Sequence, residues 1–142
     1  MFAPPRDPQE VAFVALLTSL ELGCDFVNAE RFADATRGGL YPVEYHLLRV
    51  LQPLVRGRRV AIVNEVINAA AAVRGAFFDL QELGARVVAV GALLALGEAI
   101  SEFAVEHDLK LELLGRMPNN LWIPSNCPLC ATSLPLEIVG PS

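Results

Sequence analysis

Two short apolar runs, Val60-Ala61-Ile62-Val63 and the valine-rich stretch Arg86 to Leu94, limit the fold of this chain more than any other feature. A strand without polar alternation must be covered on both faces, the setting of a parallel sheet held between helices. Between the runs lies Ala69 to Leu83, an alanine-rich segment preceded by Asn68, a residue type suited to capping a helix N-terminus. It ends at Gly84, which suits the left-handed turn that closes a helix. Residues 59–94 therefore predict one strand, helix, strand unit with a right-handed crossover, and an α/β class for the chain.

The flanking segments read less sharply. Residues 1–9, with Pro4, Pro5 and Pro8, read as an irregular leader, and Glu10 to Gly23 as a helix that stops at its glycine. Asp25 to Glu30 predicts a short strand. Phe32 to Val43, with Gly38, Gly39 and Pro42, predicts an exposed loop or hairpin of the length that often covers a site. Tyr45 to Val55 reads as a partly buried helix or irregular connection, Glu98 to His107 as an amphipathic helix and Leu109 to Leu114 as a strand. Residues 118–142 form a turn-rich and proline-rich tail. A length of 142 residues fits one domain over 1–142. Its composition, 54% hydrophobic with a mean hydropathy of +0.44, exceeds what a small domain comfortably hides and predicts a homodimer.

Charge and cysteine usage remove several classes of function. The net charge is −5 and Arg56, Arg58 and Arg59 make the one dense basic patch, so no nucleic-acid partner is expected. The uncharged apolar stretches, Val11 to Leu20 and Val87 to Gly97, are shorter than the roughly 18 residues of a membrane span. No export signal is read at Met1 to Arg6, and a cytoplasmic protein with reduced thiols at its three cysteines, Cys24, Cys127 and Cys130, is the expectation.

In an α/β crossover, ligands sit beyond the carboxyl end of the strand, where the next helix offers free N–H groups and the positive end of its dipole. Here that place is Asn64 to Ala72. The sequence Val60-Ala-Ile-Val-Asn-Glu-Val-Ile-Asn-Ala-Ala-Ala-Ala-Val73 resembles the signature of the type I phosphoribosyltransferases: apolar strand residues, two acids, two apolar residues, then a loop of small and hydroxyl residues. The resemblance continues through Arg74-Gly75, Leu83 to Val90, Gly91 to Leu94, and Leu121-Trp122 through Cys127-Pro128-Leu129-Cys130 to Pro135-Leu136. It is to bacterial orotate phosphoribosyltransferase homologues and covers most of the chain from about Glu10. It implies a parallel sheet flanked by helices, shortened at the N-terminus. It also implies binding of phosphoribosyl diphosphate or a nucleotide at Asn64, Glu65, Asn68, Ala69, Ala70, Ala71 and Ala72, and Mg²⁺ if the chain is active.

The departures bear on activity. Asn64 stands where the family has its first acid, Glu65 where it has the second, and Ala70, Ala71 and Ala72 where it has glycine and hydroxyl residues. The family's glycine-bearing diphosphate loop reads Pro8-Gln9-Glu10-Val11-Ala12 here, and the resemblance implies a chain without the amino-terminal part that covers the base. The family's mobile catalytic loop corresponds to Phe32 to His46, yet Lys110 is the only lysine in the sequence. Each lost charge-assisted bond weakens binding by about 1.5 to 3 kcal/mol. The resemblance thus implies weak or absent transfer of a phosphoribosyl group to orotate. A competent enzyme of pyrimidine biosynthesis that uses Asn64 and Glu65 as its ribose ligands is the alternative. On its own, Val60 to Val73 also reads as a buried strand followed by an alanine-rich helix.

Outside this segment, Arg31, Arg37 and His46 sit where a loop could meet a phosphate or carboxylate, or could simply be solvated. Cys127 and Cys130 have the spacing of half a zinc site, which needs four ligands, and Cys24, His46 and His107 are the remaining candidates. A thiol or zinc interaction module is thus a further alternative, beside a proline-bearing turn with two buried thiols. Trp122 reads as core or interface.

Overall fold

The computed structural model describes residues 2–3, 10–33, 43–120, 122 and 124–133. Along the chain run β1 (Phe2–Ala3), α1 (Glu10–Leu22), β2 (Val27–Asn28), β3 (Glu30–Ala33), β4 (Val43–His46), α2 (Gln52–Val55), β5 (Arg59–Ile67), α3 (Ala71–Glu82), β6 (Arg86–Leu96), α4 (Ala99–Glu106), β7 (Lys110–Met117) and α5 (Pro128–Ala131), with a 3₁₀ turn at Pro124–Asn126 before α5. Five strands form a sheet in the order β2-β1-β5-β6-β7, every neighbour parallel. The remaining two, β3 and β4, pair antiparallel as a separate hairpin.

The crossover predicted from the apolar runs is present. Val60 pairs with Val87 and Ile62 with Val90, and α3 carries the chain from one strand to the next. Ile62 and Val90 are fully buried, as their lack of polar alternation requires. The end of α3 is closed by Gly84 at φ +78°: the Ala85 N–H bonds the Leu80 carbonyl at 2.9 Å and the Gly84 N–H the Gln81 carbonyl at 2.9 Å. Both bonds satisfy carbonyls that the last turn leaves unpaired.

Helices α3 and α4 share one core with the sheet. Val73, Ala76, Phe77 and Leu80 of α3 and Ile100, Phe103 and Ala104 of α4 lie in one buried cluster with Val60, Ile62, Ile67 and Val90. The Phe77 and Phe103 rings meet edge-on at 5.3 Å, and the His107 ring sits 4.4 Å from Phe103. A smaller cluster joins Ala15 of α1 to Val63 of β5, with Val14 and Phe26 packed against it. Much of the apolar surface of α1 stays outside it: Phe13, Leu17, Leu20 and Leu22 are each more than 60% exposed.

Several boundaries differ from the sequence reading. Phe2 and Ala3, inside the segment read as irregular, form a strand against Val27, Asn28 and Ile62. The strand read at Asp25 to Glu30 is two: β2 joins the main sheet and Glu30 begins the hairpin. The loop or hairpin at Phe32 to Val43 is a hairpin at its base, with Phe32 paired to Glu44 and Ala33 to Val43; residues 34–42 lie outside the described residues. Tyr45 and His46, read as part of a helix or connection, belong to β4. The run read as ending at Val63 continues to Ile67, because β6 offers pairing partners as far as Ala95 and backbone hydrogen bonding outweighs the polar side chains of Asn64 and Glu65. Asn68 is consequently not the cap of α3. That position falls to Ala70, at φ 58°, with no side-chain cap.

Candidate functional site

Strand order locates the candidate site. From β1 the chain moves by α1 to β2 on one side, and from β5 through β6 to β7 on the other, so the order reverses between β1 and β5. Helices leave such a pair of strands on opposite faces, and a crevice opens beyond their carboxyl ends. The segment leaving β1, residues 4–9, lies outside the described residues. The segment leaving β5 is Asn68-Ala69-Ala70, which turns into the first residues of α3.

The sharpness of that turn is set by Ala70, buried and left-handed at φ 58° and ψ 9°. A residue with a Cβ pays roughly 1 to 2 kcal/mol in this region, where glycine does not. The Ala70 carbonyl accepts the first helical bond, from Arg74 N at 2.9 Å, and among the described residues no side chain caps the amides ahead of it. The start of α3 thus presents unpaired N–H groups and the positive end of a 12-residue helix dipole.

The two polar residues at the end of β5 differ in setting. Asn64 is buried, 6% exposed, and its Oδ1 accepts the Glu65 N–H at 2.9 Å. Its acceptor is thus already engaged by the chain itself. Glu65 is half-buried. Asn68 Oδ1 accepts from Asn119 Nδ2 at 2.8 Å, a bond spanning 51 positions that draws the segment after β7 onto the loop. Gly97, at φ +72°, lets that segment approach: its N–H bonds the Met117 carbonyl at 2.9 Å, and a Cβ there would stand 3.1 Å from the Asn119 carbonyl oxygen. Asn119 and Gly97 were not singled out from the sequence, where the only signals were an asparagine pair after a proline and a glycine between a strand and a helix.

The other candidates lie elsewhere. His46 Nδ1 is 2.9 Å from Asp79 Oδ1, and Asp79 Oδ2 accepts the Leu47 N–H at 3.1 Å, so one carboxylate ties β4 to α3. Asp79 lies about 12 Å along α3 from its first residue, by the helical rise, which keeps His46 away from the Asn68–Ala70 turn. Arg31 is on β3, and Arg37 lies outside the described residues. Cys127 caps the short α5 and Cys130 follows within it; Cys127 is half-buried and Cys130 exposed, so the turn does not bury its two thiols. Among the described residues no group of three or more His, Cys, Asp and Glu side chains is placed to hold a metal ion.

A cavity of about 500 Å³ opens at the other end of the sheet, lined by Gly23, Cys24, Asp25, Val27, Arg58 and Arg59 among others. It adjoins the amino ends of the strands and the carboxyl ends of α1 and α2, where helix carbonyls disfavour anions.

Known proteins bear on this geometry. No family model matches the chain. Orotate phosphoribosyltransferase of Thermotoga maritima is 33% identical over 86 residues, which are 59% of this chain and 43% of that protein. The chain therefore matches less than half the length of such relatives. Among solved structures, orotate phosphoribosyltransferase from Aeropyrum pernix superposes with a TM-score of 0.56 over 82% of this chain and 59% of that one, at 16% identity. Adenine phosphoribosyltransferase from Trypanosoma brucei, in complex with AMP, pyrophosphate and ribose-5-phosphate, superposes with a TM-score of 0.61 over 98% of this chain and 61% of that one, at 14% identity. The fold is that of the type I phosphoribosyltransferases. The chain resembles orotate phosphoribosyltransferases in sequence as well. Within the phosphoribosyltransferase fold, Asn64 to Ala72 spans the last residues of the central strand β5, the turn and the start of α3, and the left-handed Ala70 occupies a position to which glycine is suited.

Proposed function

We propose that this domain binds a ribose-phosphate ligand, phosphoribosyl diphosphate or a nucleoside monophosphate, at the Asn68–Ala70 turn and α3, and that it transfers a phosphoribosyl group to orotate weakly or not at all. The observation that carries this reading is the uncapped, left-handed entry to α3 at the carboxyl end of β5, beside the reversal in strand order. Its N–H groups and dipole suit a 5′-phosphate. Glu65, half-buried at the end of the strand, suits a ribose hydroxyl. The phosphorylated ligands named for the trypanosomal protein of the same fold support this choice of ligand class.

Weak transfer follows from what the turn lacks. Ala70, Ala71 and Ala72 add no hydroxyl donor, and Asn64 brings no charge and spends its oxygen on Glu65 N–H. Lys110, the only lysine, is at the start of β7 and not in the β3–β4 hairpin. Mg²⁺ favours carboxylate oxygens and usually arrives with substrate phosphates. Glu65 is the one carboxylate in the segment 64–72, so these residues do not form a protein cage for the ion, and no step is assigned to it.

Calorimetric titration with phosphoribosyl diphosphate and Mg²⁺, beside ribose 5-phosphate, nucleoside monophosphates and orotate, tests the reading. Binding of the phosphorylated ligands is expected in the micromolar to millimolar range, and turnover of orotate about a thousandfold below an ordinary enzyme, since two lost contacts of about 2 kcal/mol each multiply. Turnover of a few per second would overturn the reading of weak transfer. Absence of any binding, with no gain in the combined variant Asn64→Asp, Ala70→Gly, Ala71→Ser, would overturn the reading of a site. We further read the assembly as a homodimer, on the strength of the exposed apolar side chains of α1.

A further inference from the structure

The tail beyond β7 holds a pair of nucleophiles that the ribose-phosphate reading does not use. Cys127 is the N-cap of α5, and its Sγ accepts the Cys130 N–H at 3.4 Å. Both groups are accessible: Cys130 is exposed and Cys127 half-buried. One turn of chain therefore carries two thiols at Cys-x-x-Cys spacing, open to solvent.

The two thiols are unequal. The Cys130 N–H at Cys127 Sγ, and then hydrogen bonding to the Cys130 side chain, hold the Cys127 thiol below the ordinary range, burial acting the other way. Hydrogen bonding to Cys127, and then burial, raise the Cys130 thiol, so that it holds its proton more tightly. An attacking thiolate beside a protonated partner is the asymmetry that a two-thiol redox couple needs. Metal is the competing use of two thiols, but a closed tetrahedral site takes four ligands. Among the described residues no third ligand stands beside this pair.

We propose that Cys127 and Cys130 form a reversible redox dithiol, a modification site that takes a peroxide as oxidant and closes to an intramolecular disulfide. Cys127 thiolate attacks one peroxide oxygen; the S–O bond forms, the O–O bond breaks, and hydroxide leaves and takes up a proton to become water. Cys130 sulfur then attacks the Cys127 sulfenic sulfur; the S–S bond forms, the S–O bond breaks, and the departing oxygen leaves as water with the Cys130 proton. Two thiols lose two electrons and one peroxide becomes two waters. A small dithiol reverses the change by exchange.

The test uses the full chain, reduced and then treated with hydrogen peroxide, quenched, alkylated and digested for mass spectrometry. The peptide bearing Cys127 and Cys130 is expected to lose two hydrogens and escape alkylation, Cys24 to take the label, and dithiothreitol to restore labelling of the pair. Cys130→Ser is expected to stop at a sulfenic acid on Cys127 that dimedone traps, and Cys127→Ser to react with peroxide at least about tenfold more slowly. Unchanged labelling of all three thiols after peroxide would sink the proposal. So would a disulfide linking two chains instead of one turn, or stoichiometric zinc on the purified protein that is lost in Cys127→Ser. The wild-type masses carry the result whether or not either variant folds.

Discussion

Ala70 is the residue at which backbone strain and the candidate site coincide. Its φ of 58° is where a Cβ crowds the backbone, so the turn into α3 holds roughly 1 to 2 kcal/mol that glycine would release. Part of that gain is returned, because glycine also loosens the unfolded chain. Ala70→Gly is thus expected to stabilise the fold by about 0.5 to 1 kcal/mol, seen as a higher midpoint in urea with an unchanged slope; a lower midpoint would show that the conformation is relaxed. Asn64→Asp should act in the opposite direction. It puts a charge at a position 6% exposed, next to Glu65, at a cost of about 1 to 3 kcal/mol even though a carboxylate can still accept the Glu65 N–H. If the turn holds a ribose-phosphate ligand, the same substitution tightens binding of phosphoribosyl diphosphate with Mg²⁺, as calorimetry would detect.

The elements depend on one another through a few buried or backbone contacts. Leu80, fully buried, anchors α3 in the main cluster, and Leu80→Ala should cost about 2 to 5 kcal/mol in a chemical denaturation curve. Gly97→Ala tests how the segment after β7 is seated. A Cβ there meets the Asn119 carbonyl oxygen at 3.1 Å with the backbone at φ +72°, so the two elements must separate. The expected loss is about 1 to 2 kcal/mol, with faster amide exchange at the Gly97 N–H, which now bonds the Met117 carbonyl at 2.9 Å. Unchanged exchange would show that the segment is not held there. The hairpin has a comparable anchor in Asp79, whose two oxygens take His46 Nδ1 and the Leu47 N–H.

At the scale of the molecule, the exposed side of α1 has the largest consequence. Phe13 at 61%, Leu17 at 63%, Leu20 at 69% and Leu22 at 67% exposure lie on one helix whose Ala15 is buried against Val63. Covering large apolar side chains of this kind stabilises by roughly 1.5 to 3 kcal/mol each when burial is complete. Light scattering is expected to give twice the chain mass of 15.3 kDa at micromolar concentration. Leu17→Glu combined with Leu20→Glu is expected to give a folded monomer with an unchanged circular dichroism spectrum. A wild-type monomer would refute the dimer.

The crossover from β5 through α3 to β6 was legible in the sequence because each of its signals is local: two runs without polar alternation, an alanine-rich helix, and Gly84 to close it. So was the chemical poverty of the turn, since Ala70 to Ala72 carry no hydroxyl and Lys110 is alone in its type. Tertiary structure decided the rest. Two residues, Phe2 and Ala3, have no periodicity of their own and become a strand only between Val27 and Ile62. The polar Asn64 and Glu65 remain in β5 because β6 supplies backbone partners alongside them as far as Ala95. Asn68, suited by type to cap a helix, instead bonds Asn119, and the cap position passes to an alanine whose side chain cannot cap. Local propensity differences of a few tenths to about 1 kcal/mol set the first group of features. Backbone pairing and close packing between distant segments set the second, because a buried N–H or C=O left unpaired costs more than a local preference can return.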